Sequence, residues 1–193
     1  MLSKQKSIDL NPMFNKKKLL LLEGWAYAVE VLASCGLQIL AGVVVGWDPL
    51  LVFVHRSARD WATLEGVLLA AALVIWGIYF SFMASDFGDY LRWDGSERVF
   101  RNAFTFAVFI QLIAAICMIV IANLPTIGTS AIVQERWNPL IHSGLFLLIL
   151  SILNIPTLFT NTKVLLQLRH VFIKEKQIAE SEMHPPVSPK DKT

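Results

Sequence analysis

The sequence predicts an all-α integral membrane four-helix bundle, with short loops, both ends of the chain in the cytoplasm and a flexible cytoplasmic C-terminal tail. Three observations predict it. Four apolar stretches are long enough to cross a bilayer, prolines and charges punctuate the breaks between them, and the basic residues divide unevenly between the two sides. Of the 193 residues 55% are hydrophobic and 17% charged, against roughly 25% charged in soluble domains. A mean hydropathy of +0.55 leaves more apolar surface than one soluble core hides.

A basic N-terminal segment, residues 1–18, precedes the first span. A hydrocarbon core takes about 20 apolar helical residues to cross. That length places spans at about 19–47, 62–84, 103–124 and 140–166 within a transmembrane domain covering 19–173. Lipid offers backbone groups no partner, so each span closes its own hydrogen bonds as a helix. Asp48-Pro49 ends the first span, Pro125 ends the third and Asn138-Pro139 opens the fourth, where a missing N–H donor is harmless. Residues 49–54 are too short to span and are expected to lie along the outer surface. From Lys174 to residue 193 the chain is charged, carries Pro185, Pro186 and Pro189, and is expected to stay flexible.

Orientation follows from lysine and arginine. Of the 17 basic residues, 14 fall on the side of the termini, every lysine among them, and only Arg56, Arg59 and Arg136 on the other. Positive charge is retained in the cytoplasm. Trp47, Trp61 and Trp137 mark the outer interface and Trp25 and Trp93 the inner one. Lysine-rich ends point to a bacterial cytoplasmic (inner) membrane. With no basic face interleaved with aromatics, nucleic acid is not an expected partner. The expected partners are the lipid bilayer and other membrane subunits or further copies of the chain.

The polar residues inside the spans are the candidates for function. Glu23, Tyr27, Glu30, Ser34 and Gln38 recur every three or four residues and line one stripe of the first helix, with Leu32, Ile39 and Val43 opposite. An ionised carboxylate at mid-depth costs several kcal/mol against lipid, so such a stripe turns toward protein or water. Glu30 lies about 18 Å beyond Lys18 along the helix, near the midplane. Similar counting puts Gln111 and Asn154 at that depth, and Asn154, Thr157 and Asn161 share a face that Pro156 is expected to kink. A central contact of Glu30 with Gln111 or Asn154 is expected, with Tyr27 and Gln38 nearby.

Two further groups of residues complete the reading. Gly42 and Gly46 form a GxxxG pattern, and Gly77, Ser81 and Ser85 repeat at four-residue spacing, both suited to close helix packing. Asp86, Asp89, Arg92, Asp94 and Glu97 make a mixed-charge cytoplasmic loop suited to docking, with Asp94 or Ser96 as the expected N-cap of the third span.

For enzymatic chemistry the sequence offers little. Cys35 and Cys117 lack CxxC spacing, and no two histidines share a mid-depth position that would hold haem. His55, Glu65 and His142 fall toward the outer surface, where nothing in their spacing enforces a metal or quinone site. No cofactor or metal is therefore expected. The expected function is a non-catalytic membrane subunit of a larger complex, and the alternative a proton-linked transporter or channel built on Glu30.

Overall fold

The computed structural model describes residues 26–124 and 131–183. The expected basic segment 1–18, Glu23, Trp25, the loop beginning at Pro125 and the tail beyond Met183 lie outside the described residues, as does the side chain of Trp137. Five helices occupy the described residues: α1 (Ala26–Val45), α2 (Trp47–Met83), α3 (Asp86–Asp94), α4 (Ser96–Ala122) and α5 (Ala131–Met183). α1, α2, α4 and α5 are each long and apolar enough to cross a membrane.

The second span differs from expectation. Residues 49–54 are not a separate segment; they form the first turns of α2, a single helix of 37 residues and therefore about 55 Å long. Leu50, Leu51, Val54 and Ala58 are spaced to share one helical face, and all four are buried. Arg56, Arg59 and Asp60, which suggest a loop when read by composition, lie on the exposed face of that continuous helix.

A single residue joins α1 to α2. Gly46 has φ 89° and ψ 145°, a backbone conformation open almost only to glycine. Its amide donates to the Gly42 carbonyl at 3.0 Å and its carbonyl accepts from Leu50 at 3.2 Å. The chain therefore turns between two helices with little loss of backbone bonding. Gly42 serves the same corner: a Cβ there would sit 2.4 Å from the Trp47 indole, which packs flat against it. The GxxxG pair is thus a corner device within the chain. Gly77 has open space where a Cβ would stand, and Ser81 is exposed, so neither lies at a helix contact here.

α4 is the centre of the bundle, packed on α2 along one flank and on α5 along another. Its buried residues include Phe100, Phe104, Ala107, Gln111, Ala114, Met118 and Ile121, a strict four-three alternation. That period is the one that lets helices interlock at a shallow crossing angle. α2 answers with Leu51, Ala58, Glu65, Ala72 and Tyr79, buried at seven-residue intervals.

Two apolar clusters result. One gathers Leu50, Leu51, Val54, Met118, Ile121, Ile141 and Leu145 around the α1–α2 corner. The other gathers Tyr79, Phe82, Phe87, Phe100, Phe104 and Leu165 at the opposite end. Between them, along α2, α4 and α5 alike, the buried positions turn polar.

Where a charged loop was expected, α3 is a nine-residue helix. Phe87 and Leu91 enter the second apolar cluster, and Gly88 permits the approach, since a Cβ there would meet the Met83 carbonyl oxygen at 2.3 Å. The N-cap of α4 is Gly95, left-handed at φ 79°, rather than Asp94 or Ser96; the Ser96 hydroxyl instead donates to the Asp94 carboxylate.

α5 also runs further than expected, through Lys174 to Met183. The stretch from Lys174 is rich in Lys, Glu, Gln and Ala, which are strong helix formers, and Lys176 ties it back to Asp86 of α3 at 2.6 Å. Replacing Gly46 by alanine should cost about 1–3 kcal/mol, because a Cβ is strained at that φ and ψ. Thermal unfolding of the detergent-solubilised protein, followed by far-ultraviolet circular dichroism, measures it; an unchanged midpoint would show that the corner tolerates a side chain.

Candidate functional site

The polar stripe of α1 faces the bundle. Glu30 and Ser34 are buried, while Val29, Leu32, Ile39, Val43 and Val44 are exposed on the other side. α1 packs chiefly on α5, and the contact is built from the stripe. The Asn154 amide donates to Glu30 Oε2 at 2.9 Å, and the Thr157 hydroxyl donates to Oε1 of the same carboxylate. Asn154 and Thr157 are three residues apart on α5, so one helical turn presents both donors to one carboxylate. Ser34 returns its hydroxyl to the Glu30 carbonyl at 2.8 Å, which spares it a partner across the interface.

Gln111 does not reach Glu30. It belongs to a second cluster, whose acid is Glu65 of α2, completely buried at 0% exposure. The Ser151 hydroxyl lies 2.6 Å from Glu65 Oε1 and 2.8 Å from Oε2. It also lies 3.1 Å from Gln111 Oε1, and the Gln111 amide donates to the Ser151 carbonyl at 3.2 Å. Ser151 precedes Asn154 by three residues, so the two carboxylate clusters occupy successive turns of α5. Counted from the Gly46 corner, Glu30 lies about 24 Å back and Glu65 about 28 Å forward, which brings both acids to similar depth.

Tyr27 stays one turn from Glu30 on α1, whereas Gln38 is placed elsewhere. The Tyr27 ring is half-buried and packs on Phe106, centroids 4.5 Å apart. Gln38 lies two turns beyond Glu30 and donates through Nε2 to the His142 carbonyl at 3.0 Å. Trp47 meets the His142 ring edge-on at 5.0 Å, so Gln38, His142 and Trp47 close the corner end of the bundle. Gln38, His142, Ser143, Phe146 and Leu147 line a shallow open groove there.

His55, Glu65 and His142 are not brought together. His55 contacts the Leu124 carbonyl at 3.4 Å, and Glu65 and His142 have the partners just described. Among the described residues no three His, Cys, Asp or Glu side chains are grouped as metal ligands. Cys35 and Cys117 are free thiols, the first exposed and the second half-buried.

The charged residues around α3 are largely engaged with one another. Arg92 bonds Asp89 at 2.6 Å and donates its other nitrogen to the Met83 carbonyl at 3.0 Å, covering the end of α2. Arg101 pairs with Glu97 at 3.2 Å. The hydrogen bond from Lys176, and then its charge, hold the Asp86 carboxyl below the usual carboxylate range. Burial, followed by the charges of Asp94 and Glu175, pushes the Tyr90 hydroxyl up to about 12, so Tyr90 is a neutral hydrogen-bonding group at physiological pH.

Glu65 is the residue that the sequence misplaced, toward the outer surface beside His55 and His142. Beginning the second span at Ala62 puts it one turn from the surface, whereas the helix from Trp47 puts it at the centre. The available signal was the seven-residue row that it shares with Leu51, Ala58, Ala72 and Tyr79. Comparison with family models, with curated proteins and with solved structures returned no match.

Replacing Asn154 with leucine removes one of two donors to a buried carboxylate and should cost about 1–2 kcal/mol. Asn161, buried on the same helix with its side-chain oxygen unpartnered, should accept leucine with no loss. Equal thermal midpoints for the two variants would show that the Glu30 contact carries no stability.

Proposed function

We propose that this chain is a non-catalytic polytopic subunit, acting as scaffold, anchor or assembly component of a larger complex. Its setting is a bacterial cytoplasmic membrane, with both termini on the cytoplasmic side. The observation that carries the reading is that both mid-bundle carboxylates are bound by side chains of α5. The strongest chemistry inside the membrane is thereby spent on holding this chain's own helices together. The lysine bias supports the orientation, because lysines mark the cytoplasmic side. The surface left for partners is the charged outside of α3 and the last turns of α5, where Asp89, Trp93, Lys174 and Ile178 are exposed.

Extraction in a mild detergent followed by native mass spectrometry tests the proposal. The expected species is heteromeric, with this chain and at least one other in fixed ratio. A monomer or homo-oligomer as the sole species would overturn it.

A second reading, a small oligomeric proton-linked transporter or channel, is favoured by the burial of Glu30 between Asn154 and Thr157 at mid-depth. In that reading Glu30 takes up and releases a proton. Reconstituted Glu30→Gln protein should then lose proton flux, and flux equal to wild type would remove Glu30 from the mechanism.

A further inference from the structure

The hydrogen bonds around Glu65 can be counted proton by proton. Three oxygens surround the Ser151 hydroxyl, two from Glu65 and one from Gln111, at 2.6, 2.8 and 3.1 Å. A serine hydroxyl has one proton to give. The Gln111 amide donates to the Ser151 carbonyl rather than to the acid. An ionised Glu65 would therefore share a single donor with Gln111, at a site with 0% exposure in the middle of an apolar bundle. A buried carboxylate in that position lacks the donors that normally stabilise its charge.

One added proton removes the conflict. Glu65 as the neutral acid donates its O–H to Ser151 Oγ, Ser151 donates its own proton to Gln111 Oε1, and Gln111 donates to the Ser151 carbonyl. Each link of the chain, Glu65 to Ser151, Ser151 to Gln111 and Gln111 to the Ser151 carbonyl, then has its own hydrogen. Glu30 is built differently, with two independent donors, Asn154 and Thr157, aimed at its two oxygens, which suits a charged carboxylate.

Among the described residues no cation relieves the need at Glu65, which enters none of the ion pairs. The ionisable groups nearest to its level on the helices around it are Glu30 and Tyr27 of α1, Cys117 of α4, and His142 and Lys163 of α5. The last two lie nine and twelve residues from Ser151 along the helix. On α2 itself the nearest are Arg59 and Asp60, both exposed.

We propose that Glu65 is an intramembrane proton-binding site, occupied at neutral pH, whose bound proton completes the Glu65–Ser151–Gln111 chain joining α2, α5 and α4. Binding is the addition of one proton to a Glu65 oxygen. Its release returns the carboxylate and leaves one serine proton for three acceptors. This inference is independent of the subunit reading, since a structural proton and a transported one occupy the same atoms.

Infrared spectroscopy of the full-length protein in an ester-free detergent tests it, because a protonated carboxyl shows a carbonyl stretch that a carboxylate lacks. Wild type at neutral pH should show that band, Glu65→Gln should lose it and Glu30→Gln should keep it. Glu65→Gln retains a donor toward Ser151 and is expected to fold. Should it fail to fold, Ser151→Ala reports on the same site: with the acceptor of the acid proton gone, the wild-type band should shift in frequency. Absence of the band from wild type at neutral pH would overturn the proposal. So would its persistence in Glu65→Gln, or a band unmoved in Ser151→Ala.

Discussion

Acids buried between apolar helices must find their partners inside the protein, and in this chain both find them on α5. Ser151 serves Glu65, while Asn154 and Thr157 serve Glu30. Apolar contact alone fixes position poorly in lipid, because hydrocarbon outside the bundle resembles hydrocarbon inside it. A misregistered α5 would strand two carboxyl groups at once, so its rotation and height are specified far more sharply than the leucine faces could specify them. The apolar clusters on either side of the polar layer then supply packing on a register already chosen.

The same logic accounts for α1. It buries few residues, and those that it does bury are mainly polar or glycine: Glu30, Ser34 and Gly42. Its apolar side chains face outward, the inverse of a helix in a soluble protein. Such a helix stays with the bundle through the Glu30 contacts, the Gln38–His142 contact and the covalent corner at Gly46.

How much of this was legible in the sequence depended on whether the signal was local. The α1 stripe was legible because five polar residues in an apolar run can only share a face. Glu30 and Asn154 could be matched by depth, since both helices have recognisable ends. Glu65 could not, because Arg56, Arg59 and Asp60 resemble a loop until the helix is known to run past them. Gln111, offered with Asn154 as a partner for Glu30, meets Ser151 instead, since depth does not say which neighbour a side chain faces. The glycine pair was misassigned for a related reason: GxxxG spacing describes a groove, and the occupant of that groove, Trp47, lies just after it in the chain. From Lys174 to Met183, charge was read as flexibility although the residues themselves favour helix.

The order in which these helices leave the ribosome follows from their order in the chain. Glu30 and Glu65 are synthesised first, and their partners on α5 come 124 and 86 residues later. At about 5–20 residues per second, that is a delay of roughly 5–25 s. During that interval two acids sit in nascent helices whose hydrogen-bond partners on α5 do not yet exist. The polar layer that fixes α1 and α2 against the bundle is therefore completed only when the last helix arrives.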